Sequence, residues 1–242
     1  MRAERRGEPR RRTAVAGRRS RRIPGADFTP NGVSYPARTV VIVGLPRFAV
    51  VDVETSGLRP GRHHVLQIGL VIVDGDGRVV DEWSTLVRLR RPWYRIGPRN
   101  IHGITRRSLR GATRPAEAFE ELARRLTGAV FTAHNAVFDS AFINRAARRS
   151  RVPLHIDRRL CTLDLSRRLD PDRLLTHGLA DVCGRYNVRL TEHHDALADA
   201  MATAAVLPHL LRELGITEAE QLDELYFPRR PRPVAAITNP QA

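Results

Sequence analysis

Two apolar runs, "VLQIGLVIV" at 65–73 and "RVVDEWSTLV" at 78–87, flank the tetrapeptide "DGDG" at 74–77, and this arrangement constrains the fold more than any other part of the chain. Repeated Asp-Gly units are strong hairpin punctuation, and the flanking runs favour extended backbone, so two antiparallel strands are predicted. A calcium loop is the competing reading of Asp74-Gly-Asp76-Gly. It fails because Arg78 and Thr85 fall where an oxygen ligand and a bidentate glutamate are required. A third run, Phe48 to Val53, precedes the hairpin and reads as another strand.

After a basic loop, "RLRRPWYRIGPRNIHGIT" at 88–105, the periodicity turns helical. "RPAEAFEELARRL" places Ala118, Leu122 and Leu126 on one face, with Pro115 suited to a first turn. A short strand is expected at 129–134, a helix from about Val137 to Arg149, and further helices near Leu163–Leu169, Gly178–Tyr186 and Ala196–Leu214. Three strands in meander order followed by alternating helix and strand imply an α/β chain, a mixed sheet covered by helices.

The chain has 242 residues, 42% of them hydrophobic, enough for one sizeable core. Its net charge is +15, and all 41 basic residues are arginine. Compositional bias explains the choice of arginine over lysine but not the surplus of charge, which favours an anionic partner, nucleic acid first. Ten arginines and two glutamates fall within residues 1–22. Such a run cannot bury enough apolar surface to fold, so a disordered arm and linker are expected over 1–46, with a short strand at Val40–Val43. The main domain is expected over 47–215, and a short helix with a flexible proline-rich tail over 216–242. Cys161 and Cys183 form no paired ligand motif, and no apolar run of about 18 residues or signal-type segment appears, so a reduced cytoplasmic protein outside the membrane is expected.

The chemistry begins at "VDVETSGL", 51–58. Side chains alternate along a strand, so Asp52 and Glu54 share a face, ~6.6 Å apart. Their repulsion is on the order of 2.5 kcal/mol at an effective dielectric of ~20, so a positive charge is expected between them. Asp139, in "HNAVFDSAF", lies in the first turn of a helix just beyond a strand end, the usual place for sites in open α/β sheets. Asp199, in "HHDALADA", sits one turn into a long helix that His194 precedes, with Asp195 as its N-cap. Singly, each acid has a plain structural explanation: an exposed strand end, a complement to a helix dipole, a solvated helix face. Four carboxylates converging on one sheet edge, without thiolates or paired histidines, suit hard cations such as Mg²⁺ or Mn²⁺.

With these motifs in their order and spacing, the sequence resembles the DEDD superfamily of 3′→5′ exonucleases, in its DEDDh branch, to which the epsilon proofreading subunit of bacterial DNA polymerase III belongs. Histidine stands five residues before Asp199, as that branch requires, and Asp195 occupies the position where the tyrosine branch differs. "NIHGIT" at 100–105, "CTLDLSRRL" at 161–169 and "HGLADVCGRYNV" at 177–188 extend the resemblance. It implies a ribonuclease H-like fold, an antiparallel meander plus parallel strands flanked by helices. It also implies two divalent ions held by Asp52, Glu54, Asp139 and Asp199, with His194 as general base. Imidazole, with an intrinsic pKa of ~6.5, exchanges a proton near neutral pH. The expected products are nucleoside 5′-monophosphates from a DNA 3′ end. Thr55, Leu58, His102, Gly103, Ile104, Asn135 and Phe138 are the implied contacts of the terminal nucleotides, where apolar faces stack on bases without reading sequence.

Two alternatives stand beside this reading. One is an RNA-trimming exoribonuclease, since the motifs do not select the sugar. The other keeps the fold without the chemistry, as a nucleic-acid-binding or polymerase-accessory module; the complete acid set argues against it. Among partners, a DNA polymerase follows from the resemblance, and "QLDELYF" at 221–227 loosely resembles sliding-clamp peptides, although an amphipathic terminal helix is the better reading.

Overall fold

A computed structural model describes residues 44–190 and 194–227. The arginine-rich arm, the linker up to residue 43 with its expected strand at Val40–Val43, His193, and the proline-rich tail from residue 228 lie outside the described residues.

Five strands form one sheet: β1 (Arg47–Thr55), β2 (Val65–Val73), β3 (Val79–Leu86), β4 (Ala129–Ala133) and β5 (Leu160–Cys161), in the order β3-β2-β1-β4-β5. β1 is central, antiparallel to β2 on one side and parallel to β4 on the other; β3 continues the meander and β5 runs parallel to β4. This is the mixed, ribonuclease H-like sheet implied by the sequence. The "DGDG" segment is a turn: Asp74 Oδ1 accepts the N–H groups of Asp76 (3.1 Å) and Arg78 (2.9 Å). Gly77 adopts φ 82°, which a side chain would disfavour.

Helices cover both faces. α2 (Pro115–Leu126) and α3 (Ala136–Ser150) bury Phe119, Leu122, Phe142 and Ile143 against Ala49, Val51 and Val53. α4 (Thr162–Arg168), α5 (Leu179–Arg185) and α6 (Ala196–Glu213) bury Leu165, Val182, Leu207 and Leu210 against Phe48 and Val50. Apolar layers on both sides explain why β2 reads as a continuous apolar run rather than an alternating one. β3 is a largely exposed edge, and its Asp81 and Glu82 discourage further strand pairing. Cys161 and Cys183 are free thiols in the core.

Three local features differ from expectation. The basic loop contains the single-turn helix α1 (Arg99–His102), followed by a 3₁₀ turn at Ser108–Arg110; neither is long enough to leave a periodic pattern. β5 is equally short. The segment expected as an amphipathic terminal helix is a 3₁₀ helix at Ala219–Glu224, with Leu222 and Tyr226 buried in the α4–α6 core and Phe227 bridging to Arg159. Of the apolar residues in that segment, Leu222 and Tyr226 are used in packing, whereas Phe227 is 47% exposed. Among the described residues, no helix is long and apolar enough to cross a membrane.

Candidate active site

Asp52 and Glu54 continue the face of β1 that turns Phe48 and Val50 toward α6. β4 pairs with β1 only over Arg47–Val50, so the end of β1 has an unshared edge on that side. Asp139 occupies it. The chain leaves β4 at Ala133 and turns through His134 and Asn135, which takes the left-handed φ of 74° that asparagine tolerates. Asp139 then falls in the first turn of α3, buried, and its Oδ1 accepts the Val53 N–H at 3.2 Å.

The other half of the site depends on a glycine. Gly69 lies opposite Asp52 in the β1–β2 register, and a Cβ there would sit 2.1 Å from the Ala196 carbonyl oxygen. The first turn of α6 therefore rests on strand backbone. Asp195 caps that turn: its Oδ1 accepts from the N–H groups of Leu197 (3.0 Å) and Ala198 (3.1 Å), and its Oδ2 accepts from the Gln67 side-chain amide at 2.8 Å. Gln67 is itself the register partner of Glu54. So anchored, α6 carries buried Asp199 to the strand end. His194 lies on the exposed approach at φ 68°, and its N–H donates to Asp199 Oδ2 at 3.3 Å. One ligand-capable atom from each of Glu54, His194 and Asp199 lies within 4.8 Å of the others.

The electrostatics show how crowded this edge is. Burial, then Asp139, Asp199 and Glu54, raise the Asp52 carboxyl well above its ordinary range. Glu54 is pushed up to about 7 by burial, Asp199 and Asp195. Asp139 is pushed up to about 8, chiefly by burial, against the opposing hydrogen bond from Val53. Among the described residues, no arginine forms an ion pair with Asp52, Glu54 or Asp139. An oxygen-only carboxylate set, with its charges unfavourable until a cation neutralises them, fits hard divalent ions.

The expected substrate contacts are distributed around this edge. The Thr55 hydroxyl donates to the Gly57 carbonyl (2.9 Å), and Leu58 is 81% exposed at the turn beyond it. His102 is buried: its Nδ1 accepts the Ile104 N–H (3.0 Å), which leaves Nε2 to donate to the Ile96 carbonyl (2.8 Å). Ile104 packs with Leu66 and Leu109, leaving Gly103 the exposed member of that trio. Asn135 is exposed, whereas Phe138 is half-buried against Phe142, ring centroids 4.8 Å apart.

Sequence reasoning missed Gly69 and Gln67, which position α6. The available signal was an isolated glycine inside an otherwise apolar strand, a mark of close backbone approach. It also missed the closure of the loop after β1. There Ser56 and His64 exchange two hydrogen bonds, at 2.9 and 3.0 Å, and the His63 ring lies where a Gly57 side chain would have to go.

Comparison with known proteins places this geometry in a family. The exonuclease family model of RNase T type matches residues 49–207. The PolC-type DNA polymerase III of Streptococcus thermophilus is 31% identical over 182 residues, which is 73% of this chain and 12% of that protein. The corresponding protein of Staphylococcus aureus (strain bovine RF122) is 29% identical over 86% of this chain and 15% of its own length. The chain thus spans only a small part of these curated relatives. Among solved structures, Exonuclease X in complex with 5′ overhanging duplex DNA is 28% identical, with a TM-score of 0.56, over 74% of this chain and 98% of that one. Escherichia coli Exonuclease I with a dT13 oligonucleotide shares the fold, with a TM-score of 0.58 at 20% identity, over 70% of this chain and 42% of that one. Motif order, sheet topology and the family match agree, and the chain belongs to the exonuclease family, within the DEDD superfamily of 3′→5′ exonucleases.

Proposed function

We propose that this exonuclease removes nucleotides one at a time from the 3′ end of DNA, releasing nucleoside 5′-monophosphates, with divalent ions held by Asp52, Glu54, Asp139 and Asp199. The observation that carries the reading is the convergence of these four carboxylates on the end of β1, with His194 over them. Bound Mg²⁺ or Mn²⁺ would supply the positive charge that neutralises the acids and stabilises charge on the scissile phosphate.

The chain's own groups supply the rest. His194, on an exposed approach whose ring reaches the Glu54–Asp199 pair, takes the proton from the attacking water. The new P–O bond forms as the bond to the 3′-oxygen of the preceding nucleotide breaks; that oxygen leaves with the electron pair and takes a proton from solvent water to become the new 3′-hydroxyl. Leu58 and Gly103 offer exposed surface for the terminal nucleotides, and Asn135 sits at the mouth of α3.

DNA is favoured over RNA because Exonuclease X, similar along nearly its whole length, is seen with duplex DNA, and because the PolC-type relatives are DNA polymerases. The same relatives make a polymerase the expected partner, in trans or as a neighbouring segment. The test is a Mn²⁺ assay with 3′-labelled single-stranded DNA, a frayed duplex and RNA of matched length. DNA should yield labelled mononucleotide fastest. Faster release from RNA moves the assignment to an exoribonuclease, and absence of mononucleotide from every substrate overturns it.

A further inference from the structure

Away from the carboxylates, a recess of about 50 Å³ opens between the loop after β1, the segment after β3 and the far end of α3. Arg88, Arg90, Arg145 and Arg149 line it, with Phe119 and Phe142 at its floor, and no carboxylate is among its lining residues. At roughly 10–15 Å³ of such space per water, it holds several waters, about the size of a tetrahedral oxyanion.

Two observations indicate that the recess is built for a negative group. Among the described residues, none of the four arginines has an ion-pair partner, so their four positive charges converge on the recess uncompensated. In addition, the Arg145 Nε is buried without a hydrogen-bond partner, a donor that is costly to leave unmet. Burial and the neighbouring charges of Arg145, Arg148 and Arg90 lower the Arg149 pKa, so the cluster is held together against its own repulsion. Arg149 also donates to the Gly61 carbonyl at 2.8 Å, fixing one wall to the loop that follows the active-site strand.

We infer that this recess binds a backbone phosphate of the substrate strand, a few nucleotides from the end being hydrolysed. The inference rests on the exonuclease reading for its ligand. Helix α3 links the two places: Asp139 stands in its first turn, and Arg145 and Arg149 follow six and ten residues later, ~9 and ~15 Å along the axis at the helical rise. A strand held at both would be gripped by its phosphates without regard to base, as fits an enzyme that works through any sequence.

The experiment measures binding of 5′-fluorescein-labelled dT20 and dT3 in EDTA across a salt series. It compares the unaltered protein with two variants, Arg88→Gln/Arg90→Gln and Arg145→Gln. Arg88 and Arg90 are exposed, so the first variant tests the site without disturbing the core. Both variants should bind dT20 several-fold more weakly, with the salt slope reduced by about 0.7 for each phosphate no longer neutralised, while dT3 binding is unchanged. Unchanged dT20 affinity and slope in both variants, equal losses for dT3 and dT20, or no dT20 binding by the unaltered protein would each overturn the inference. Because no turnover is needed, arginine-dependent binding in a protein that releases no mononucleotide in Mn²⁺ would sink the proposed function and leave this site standing.

Discussion

Asp139 does two jobs that substitution can separate. Its carboxyl group adds negative charge to the site once a cation displaces its proton, and its Oδ1 satisfies the Val53 N–H at the place where β1 and β4 part. Asparagine keeps an acceptor oxygen and removes the charge; alanine removes both. Asp139→Asn should therefore fold with at least the unaltered stability in EDTA and lose turnover. Asp139→Ala should lose turnover and also about 1–3 kcal/mol of unfolding free energy, the cost of an unpaired buried donor. Denaturant melts beside the mononucleotide assay separate the two effects, and equal stability of both variants would refute the dual role. His194, exposed and outside the core, should behave differently: His194→Ala should reduce turnover by roughly 10²–10⁴-fold, the range for a lost general base, with oligonucleotide affinity retained. A comparable loss of affinity would show that the ring serves binding instead.

At the scale of elements, the site exists because α6 settles onto β2 at one position. A Cβ on Gly69 would meet the Ala196 carbonyl carbon at 2.2 Å and the Leu197 nitrogen at 2.4 Å, backbone atoms that a rotamer change does not relieve. Gly69→Ala must push the helix start away, carrying Asp195 and Asp199 with it and away from Gln67 on β2. The expected result is a destabilisation of about 1–3 kcal/mol, as for overpacked cores, and at least a tenfold loss of turnover. Gly184→Ala is the control: it lies exposed on α5 with nothing within 4 Å of the added carbon, and alanine there should stabilise by up to about 1 kcal/mol. The same contrast shows what the sequence made legible. Asp52, Glu54, Asp139, Asp199 and the cap Asp195 were readable because each is defined by its place within its own strand or helix. The approach of α6 to Gly69, the two-residue β5, the single turn of α1 and the burial of Leu222 and Tyr226 were not, because each is decided by packing between segments distant in sequence.

For the whole molecule, the carboxylate cluster makes stability depend on pH and metal together. Glu54 holds its proton up to about 7 and Asp139 up to about 8, against ordinary values of 4.5 and 3.8 in an unfolded chain. Between those limits the folded state binds more protons than the unfolded one, so the contribution of these two acids falls as pH rises from about 4 to about 8, and Asp52, raised in the same direction, adds to the fall. Acids with depressed values act oppositely and elsewhere. Glu121, hydrogen-bonded by Arg124 and Arg125, titrates at about 2, and Asp170 is lowered by the Leu175 and Leu174 amides and by His177, so their stabilisation is lost only as pH falls below about 4.5. A divalent ion competes with the protons on the cluster, so the rise in Tm on adding Mn²⁺ to metal-free protein should be small at pH 5 and increase steadily to pH 8. Asp52→Asn/Asp139→Asn should flatten that dependence, since amides neither titrate nor repel their neighbours. Thermal melts in EDTA and in Mn²⁺ at half-unit intervals read this directly. A Mn²⁺-induced rise independent of pH, or one preserved in the double variant, would mean that the ion binds elsewhere and that the acids at the end of β1 are not its ligands.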